Sequence, residues 1–408
     1  MRVLLAIVLS AALGSAAGPA GAQLALPRVD LPGAGHVLDP LEGVTGAIDE
    51  VTADSVRDLL RLQQRTLARF VRQNRQSVEL DRSGQPARRG ELLLMDLDDA
   101  SAAALASEGL RLLGREEIEG LDIAVTRLAL PSGMSLPDAQ ELAARLAPAA
   151  VVAPDNLHFQ SGSAPIAVLQ RAAAARAQPG PAVGMIDGAP ADSQGTFVSR
   201  GFATGAPTPS NHGSAIVHLL QQAGVRDIRV ADVYGTDPAG GGALAIARAL
   251  GWLVAGGSRV VTISLVGPRN PVLERAVTAA GRRGVVVVAA VGNNGPAAPP
   301  AYPASYPGVV AVTGVDGRNR ALLEAGRALH LDYAAPGADL FGRDARGRRV
   351  RLRGTSYATP LVAARIAAAL RQSANWRRTV DEEARDLGAP GPDASFGRGL
   401  VCGTCGRS

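Results

Sequence analysis

The chain has 408 residues, 47% of them hydrophobic, enough to bury the cores of two or three domains. Only 3% are aromatic, so those cores must be built from Ala, Val, Leu and Ile. The 42 basic residues are all arginine and give a formal charge of +5, but they are scattered. No basic run alternates with aromatics for base stacking, which argues against a nucleic-acid partner and for a solvated surface.

The N-terminus predicts the compartment. Arg2 is a short positive start, Val3 to Leu13 is apolar, and Ala20-Gly21-Ala22 offers small residues at a cleavage site. That is the pattern of a secretory signal peptide over 1–22, with Gln23 as the mature start. Eleven apolar residues are too few to cross a bilayer, which needs about 20. The chain is therefore expected to be exported, periplasmic or extracellular, with no membrane span once the signal is removed. Cys402 and Cys405, the only cysteines, fit a small local disulfide in an oxidising compartment.

Residues 23–90 read as a Pro/Gly-containing linker followed by an amphipathic helix over 53–77, with Leu59, Leu60, Leu67, Phe70 and Val71 at helical spacing. Residues 91–159 read as a small α+β unit. Glu91 to Leu97 predicts a strand and Asp98 to Gly109 a helix. Leu110 to Ile118 and Leu121 to Leu130 predict two strands joined by a turn at Gly120. Ser135 caps a helix running to Leu146, with Asp138 placed as in a capping box, and Ala149 to Phe159 closes as a strand. The order β-α-β-β-α-β is the split βαβ, or ferredoxin-like, arrangement. Residues 160–182, Gly/Ser-rich at the start and Pro-Gly-Pro at the end, read as a linker open to proteolysis.

From Val183 to the C-terminus, short apolar strands alternate with Ala-rich helices. Strands are expected at 183–186, 228–234, 259–265, 285–291 and 309–315, and helices at 213–223, 242–255, 271–283 and 356–371. Continuous apolar strands between helices imply a doubly wound, mostly parallel sheet covered on both faces. Active sites of such sheets collect at the C-terminal strand ends.

Four segments stand out there. Val183-Gly184-Met185-Ile186-Asp187 delivers a carboxylate at a strand tip. Asn211-His212-Gly213-Ser214 opens a helix with an imidazole beside a glycine. Gly354-Thr355-Ser356-Tyr357-Ala358-Thr359-Pro360 puts a hydroxyl at a helix N-terminus, where free N–H groups favour an anion. Gly292-Asn293-Asn294-Gly295 ends an apolar strand with a side-chain amide able to donate to an oxyanion. His36, His158, His218 and His330 have no such context and read as structural.

In the order Asp, His, Asn, Ser, these motifs resemble the subtilisin family of serine proteases over about residues 183–371. The resemblance implies a subtilisin-like catalytic domain over 183–408. It implies that Ser356 is the nucleophile, His212 its base, Asp187 the group that orients His212, and Asn293 an oxyanion donor. Ser264, Leu265, Val266 and Gly267 resemble the segment that pairs with extended substrate, and 235–242 the opposite edge of that cleft. The 91–159 unit resembles the family's propeptide, so the chain is expected to be a monomeric zymogen whose partners are polypeptide substrates and its own propeptide. Self-cleavage is expected between about Phe159 and Ala173. No cofactor is implied. Calcium, frequent in the family, cannot be placed: the only acid between Asp187 and His212 is Asp192.

Two departures stand out. Gly188 follows Asp187 where the family usually has Ser or Thr, so a hydroxyl that would orient the carboxylate is missing. Val266 stands where a glycine is usual, which predicts a narrower cleft. The Gly188 departure motivates the alternative of an inactive or weakly active subtilisin-fold binding module. An acid-active relative with Glu in place of His is opposed by the His212-Gly213 motif and Asn293.

Overall fold

A computed structural model describes residues 53–161, 166–167, 181–195, 197–403 and 405. The expected signal peptide, the linker at 23–50, His36 and most of the 160–182 segment lie outside the described residues.

The first unit comprises α1 (Ala53–Gln73), β1 (Val78–Leu80), β2 (Pro86–Met95), α2 (Asp99–Ser107), β3 (Arg111–Ile118), β4 (Ile123–Ala129), α3 (Leu136–Leu146) and β5 (Val151–Asn156). The strands pair antiparallel in the order β5-β2-β4-β3, with β1 folded onto the start of β2. Asp98 caps α2 by accepting from the Ser101 N–H, and Ser135 caps α3 by accepting from the Asp138 N–H. The Ser135 hydroxyl also donates to Asp138 Oδ2 at 2.6 Å. β2 begins five residues before the expected Glu91, and β1 was not expected at all. Both lie in the stretch read as linker and helix, because Pro-Ala-Arg-Arg-Gly has no apolar alternation. The turn between them is held by Asp81 Oδ1, which accepts from the Ser83 and Gln85 N–H groups.

The run Leu92-Leu93-Leu94-Met95 is apolar throughout because it is buried on both faces. Leu92 and Leu94 pack with Leu105, Leu136 and Ala139 inside the unit. Leu93 and Met95 share a core with Ile246, Leu250, Val272 and Ala276 of the second unit.

That second unit contains β6 (Phe159–Gln160), β7 (Ile166–Ala167), β8 (Val183–Asp187), β9 (Val198–Gly201), α4 (Asn211–Gln222), β10 (Ile228–Asp232), α5 (Ala243–Ala255), β11 (Val260–Ile263), β12 (Leu265–Val266), α6 (Pro271–Arg282), β13 (Val286–Ala290), β14 (Val310–Val315), β15 (Tyr333–Pro336), β16 (Leu340–Arg343), β17 (Arg349–Leu352), α7 (Thr355–Leu370) and α8 (Trp376–Glu383). Its main sheet has seven parallel strands in the order β15-β14-β13-β11-β8-β10-β9. Helices α5 and α6 cover one face, α4 and α7 the other. The winding changes direction at β8: β10 lies on one side of it and β11 on the other. A crevice at the C-terminal strand ends forms at such a point.

Strands β9 and β15 to β17 and helix α8 escaped the sequence analysis. In β9, β16, β17 and α8 polar residues break the apolar run that marks the central strands, and β15 is a short Tyr-Ala-Ala-Pro stretch ending on proline. The expected boundary between residues 159 and 160 falls inside β6, which pairs antiparallel with β12. Cys402 and Cys405 form a disulfide. Among the described residues no helix is long and apolar enough to cross a membrane.

Candidate active site

β8 ends on Asp187, which is fully buried. The next helix, α4, starts at Asn211, so His212 sits in its first turn. Its N-cap Ser210 accepts from the Gly213 N–H at 2.9 Å. Gly213 is required by crowding: a Cβ there would lie 2.0 Å from the Gly188 carbonyl oxygen. This close approach brings the imidazole to the carboxylate. His212 Nδ1 is 2.9 Å from Asp187 Oδ2 and 3.0 Å from Oδ1. A carboxylate only accepts, so Nδ1 carries the proton and Nε2 is left as acceptor. Nε2 lies 3.0 Å from Ser356 Oγ.

Ser356 is the second residue of α7, where backbone N–H groups have no partner within the helix. Pro360 sits four residues on and has no N–H, so the Ser356 carbonyl lacks its usual helical donor. The Ser264 hydroxyl replaces it, donating to Ser356 O at 2.8 Å. The motif's proline thus leaves a vacancy that a residue 92 positions away fills.

Asn293 follows the positive-φ Gly292. Its Oδ1 accepts from the Thr355 N–H at 3.0 Å, fixing the amide. Its Nδ2 is buried without a hydrogen-bond partner. Among the described residues nothing accepts from it, so the amide hydrogens are free to donate to an acceptor that enters the cleft.

The cleft beside these groups holds part of the same chain. Leu265 and Val266 pair with Gln160 and Phe159, and Leu157 bridges Gly242 on the opposite edge. His158 is buried there; a Cβ on Gly267 would lie 2.5 Å from its ring. Burial pushes its pKa down to about 4. Sequence reasoning took His158 as structural. Only its position four residues after Pro154 in a closing strand hinted otherwise. Gln160, Ser161 and Tyr234 were also missed, since a single Gln, Ser or Tyr carries no motif. His218 and His330 stand apart from the cleft. Burial and the nearby Arg343 and Arg349 lower His218 to about 4, and His330 Nε2 donates to the Val309 carbonyl oxygen at 2.8 Å.

Where a hydroxyl was expected after Asp187, the Gly188 N–H donates to Oδ1 at 2.7 Å. A Cβ at Gly188 would lie 2.4 Å from Ser210 Oγ, so the N-cap of α4 occupies the space a Ser or Thr side chain needs. Among the described residues no three His, Cys, Asp or Glu side chains gather as a metal site.

Comparison with known proteins agrees with this geometry. The pattern of the Subtilase family matches residues 199–399, which include His212, Asn293 and Ser356. Subtilisin BL of Lederbergia lenta is 34% identical over 192 residues, 45% of this chain and 69% of that protein. Thermitase of Thermoactinomyces vulgaris is 31% identical over 197 residues, 47% of this chain and 69% of that one. Fervidolysin of Fervidobacterium pennivorans, a keratinolytic enzyme related to subtilisin, has the same fold with a TM-score of 0.64 at 17% identity. That likeness covers 80% of this chain and 62% of fervidolysin. The chain belongs to the subtilase family of serine endopeptidases.

Proposed function

We propose that the protein is an exported zymogen that hydrolyses peptide bonds through Ser356, His212 and Asp187, with Asn293 and the Ser356 N–H as oxyanion donors. The observation that carries this is the His212 ring, which bridges Asp187 on one nitrogen and Ser356 Oγ on the other. Ser356 Oγ attacks the substrate carbonyl carbon while its proton passes to His212 Nε2. Asp187 holds the imidazole in that tautomer and stabilises the imidazolium. The oxyanion meets Nδ2 of Asn293 and the helix N-terminus. The C–N bond then breaks, the leaving amine takes the proton from Nε2, and a water deprotonated by His212 hydrolyses the acyl ester.

In this proposal residues 91–159, together with β1 and the start of β2 that precede them, act as an inhibitory propeptide. Support comes from where they dock. Asp155 Oδ1 accepts from the Leu244 N–H at the start of α5, and Asn270, the N-cap of α6, donates to the Pro154 carbonyl at 2.8 Å. Arg88 reaches Asp237 Oδ2 at 2.8 Å. The unit thus covers two helix N-termini and runs its last strand into the cleft. Ser264 to Gly267 and 235–242 are the edges that would pair with extended substrate, by backbone bonds that tolerate many sequences. Export rests on the pattern of residues 1–22.

Casein hydrolysis near neutral pH, with and without a serine-directed fluorophosphonate, tests the proposal. Activity that the reagent abolishes, with label on Ser356, supports it. An unlabelled, inactive processed protein would instead favour the binding-module alternative.

A further inference from the structure

The strand in the cleft makes one contact that backbone pairing does not require. Gln160 is buried, and its Nε2 donates to Asp187 Oδ1 at 2.8 Å. The next residue carries the carbonyl that faces the nucleophile: Ser161 O accepts from the Ser356 N–H at 3.2 Å, and Ser161 N donates to Ser264 O at 3.1 Å. On the other edge, His158 N donates to Gly241 O at 2.8 Å and His158 O accepts from the Tyr234 hydroxyl at 2.8 Å. Residues 157–161 are therefore held on both edges, in a register that presents Ser161 as the residue to be acylated.

We infer that Gln160 is a positioning residue for cleavage of the bond after Ser161, and that the processed enzyme selects substrates with glutamine immediately before the residue it cleaves after. This rests on the function proposed above. The hydrogen bonds to Asp187 Oδ1 come from His212, the Gly188 N–H and Gln160. Position 188 cannot supply a side-chain donor, because Ser210 occupies that space. The cleft strand brings one instead. A buried carboxylate with a second fixed donor is held in the orientation that keeps the imidazole aimed at Ser356. When the strand leaves, that amide leaves with it, and a substrate glutamine restores it. Glutamate has the same shape but sets a second carboxylate against Asp187. Methionine fills the same volume and donates nothing.

In the self-cleavage step, Ser356 Oγ bonds to the Ser161 carbonyl carbon and its proton goes to His212. The bond from that carbon to the nitrogen of residue 162 breaks, and the proton passes to the new amine. Water then releases the Ser161 carboxylate.

The test has two parts. The self-processed protein is sequenced from its N-terminus beside a Ser356→Ala version. The processed enzyme is then given peptides with the sequence of residues 155–165, carrying Gln, Met, Ala or Glu in the place of Gln160. The expected new N-terminus is Gly162, absent in Ser356→Ala. The expected kcat/KM for Gln exceeds that for Met and Ala by roughly tenfold or more, with Glu lowest. The difference between Gln and Met should fall on kcat, because Met keeps the packing. Equal kcat for Gln and Met, or a first cut elsewhere, overturns the inference while Ser356-dependent casein hydrolysis persists. Absence of any Ser356-dependent hydrolysis overturns the proposed function itself, and this inference with it.

Discussion

The backbone N–H of Ser356 and the carbonyl oxygen of Ser161 are hydrogen-bonded at 3.2 Å. One of the two proposed oxyanion donors is thus already occupied by the chain's own carbonyl. The other, Nδ2 of Asn293, has no partner among the described residues. In the proposed mechanism the cleft thus holds a peptide in ground-state register, with a donor in reserve for charge that develops only during attack.

Replacing that reserved donor tests the idea directly. Asn293→Ala should lower kcat by about 10²–10³ with little change in KM, the magnitude seen when such a donor is removed from a subtilisin. Because Asn293 Oδ1 also accepts from the Thr355 N–H, a drop in melting temperature is expected too. Steady-state kinetics and a thermal melt separate the two effects.

Restoring the family's usual hydroxyl should do harm. Gly188→Ser puts its Cβ 2.4 Å from Ser210 Oγ and 2.8 Å from Ser210 Cβ. Overpacking of this kind costs about 1–3 kcal/mol, and the loop it displaces carries the carboxylate. Activity and melting temperature should both fall. Adding Ser210→Gly should recover part of each, since glycine at an N-cap costs only about a few tenths of a kcal/mol.

Docking of the N-terminal unit can be weakened away from the catalytic groups. Gly251 lies inside α5, where alanine favours the helix by about 0.5–1 kcal/mol. A Cβ there would nevertheless lie 2.2 Å from the Glu119 carbonyl oxygen and 2.8 Å from Ile118 Cγ2. The clash outweighs the helix gain only while the unit is docked. Gly251→Ala should therefore shorten the lag before proteolytic activity appears, with kcat on a small peptide unchanged once processing is complete. A progress curve from the purified precursor reads both.

Acid should loosen the processed complex. His158 is held at about 4 by burial, against an ordinary 6.5, so the docked strand excludes the proton that the free strand binds. Docking strength from this group is fully present above about pH 6.5 and is lost as pH falls toward 4, by up to about tenfold per pH unit. Burial pushes the Asp155 carboxyl up, which acts in the opposite sense. Comparison with His158→Phe isolates the imidazole: gel filtration between pH 7.5 and 4.5 should show earlier dissociation of the wild type and a flatter profile for the variant.

Much of this architecture is written locally. The strand tips at Asp187 and Asn293, the helix starts at His212 and Ser356 and the central parallel strands follow from apolar runs, glycines and caps, each a matter of neighbouring residues. The sequence also shows that Gly188 lacks a side chain. What it does not show is why, or what stands in its place. That was decided by contacts between residues far apart: Ser210 against Gly188, Ser264 filling the vacancy left by Pro360, and Gln160 donating to Asp187. A hydroxyl or amide has no periodicity and no signature of its own. Its role is set by which buried acceptor the fold brings within about 3 Å, and only the packed chain determines that distance.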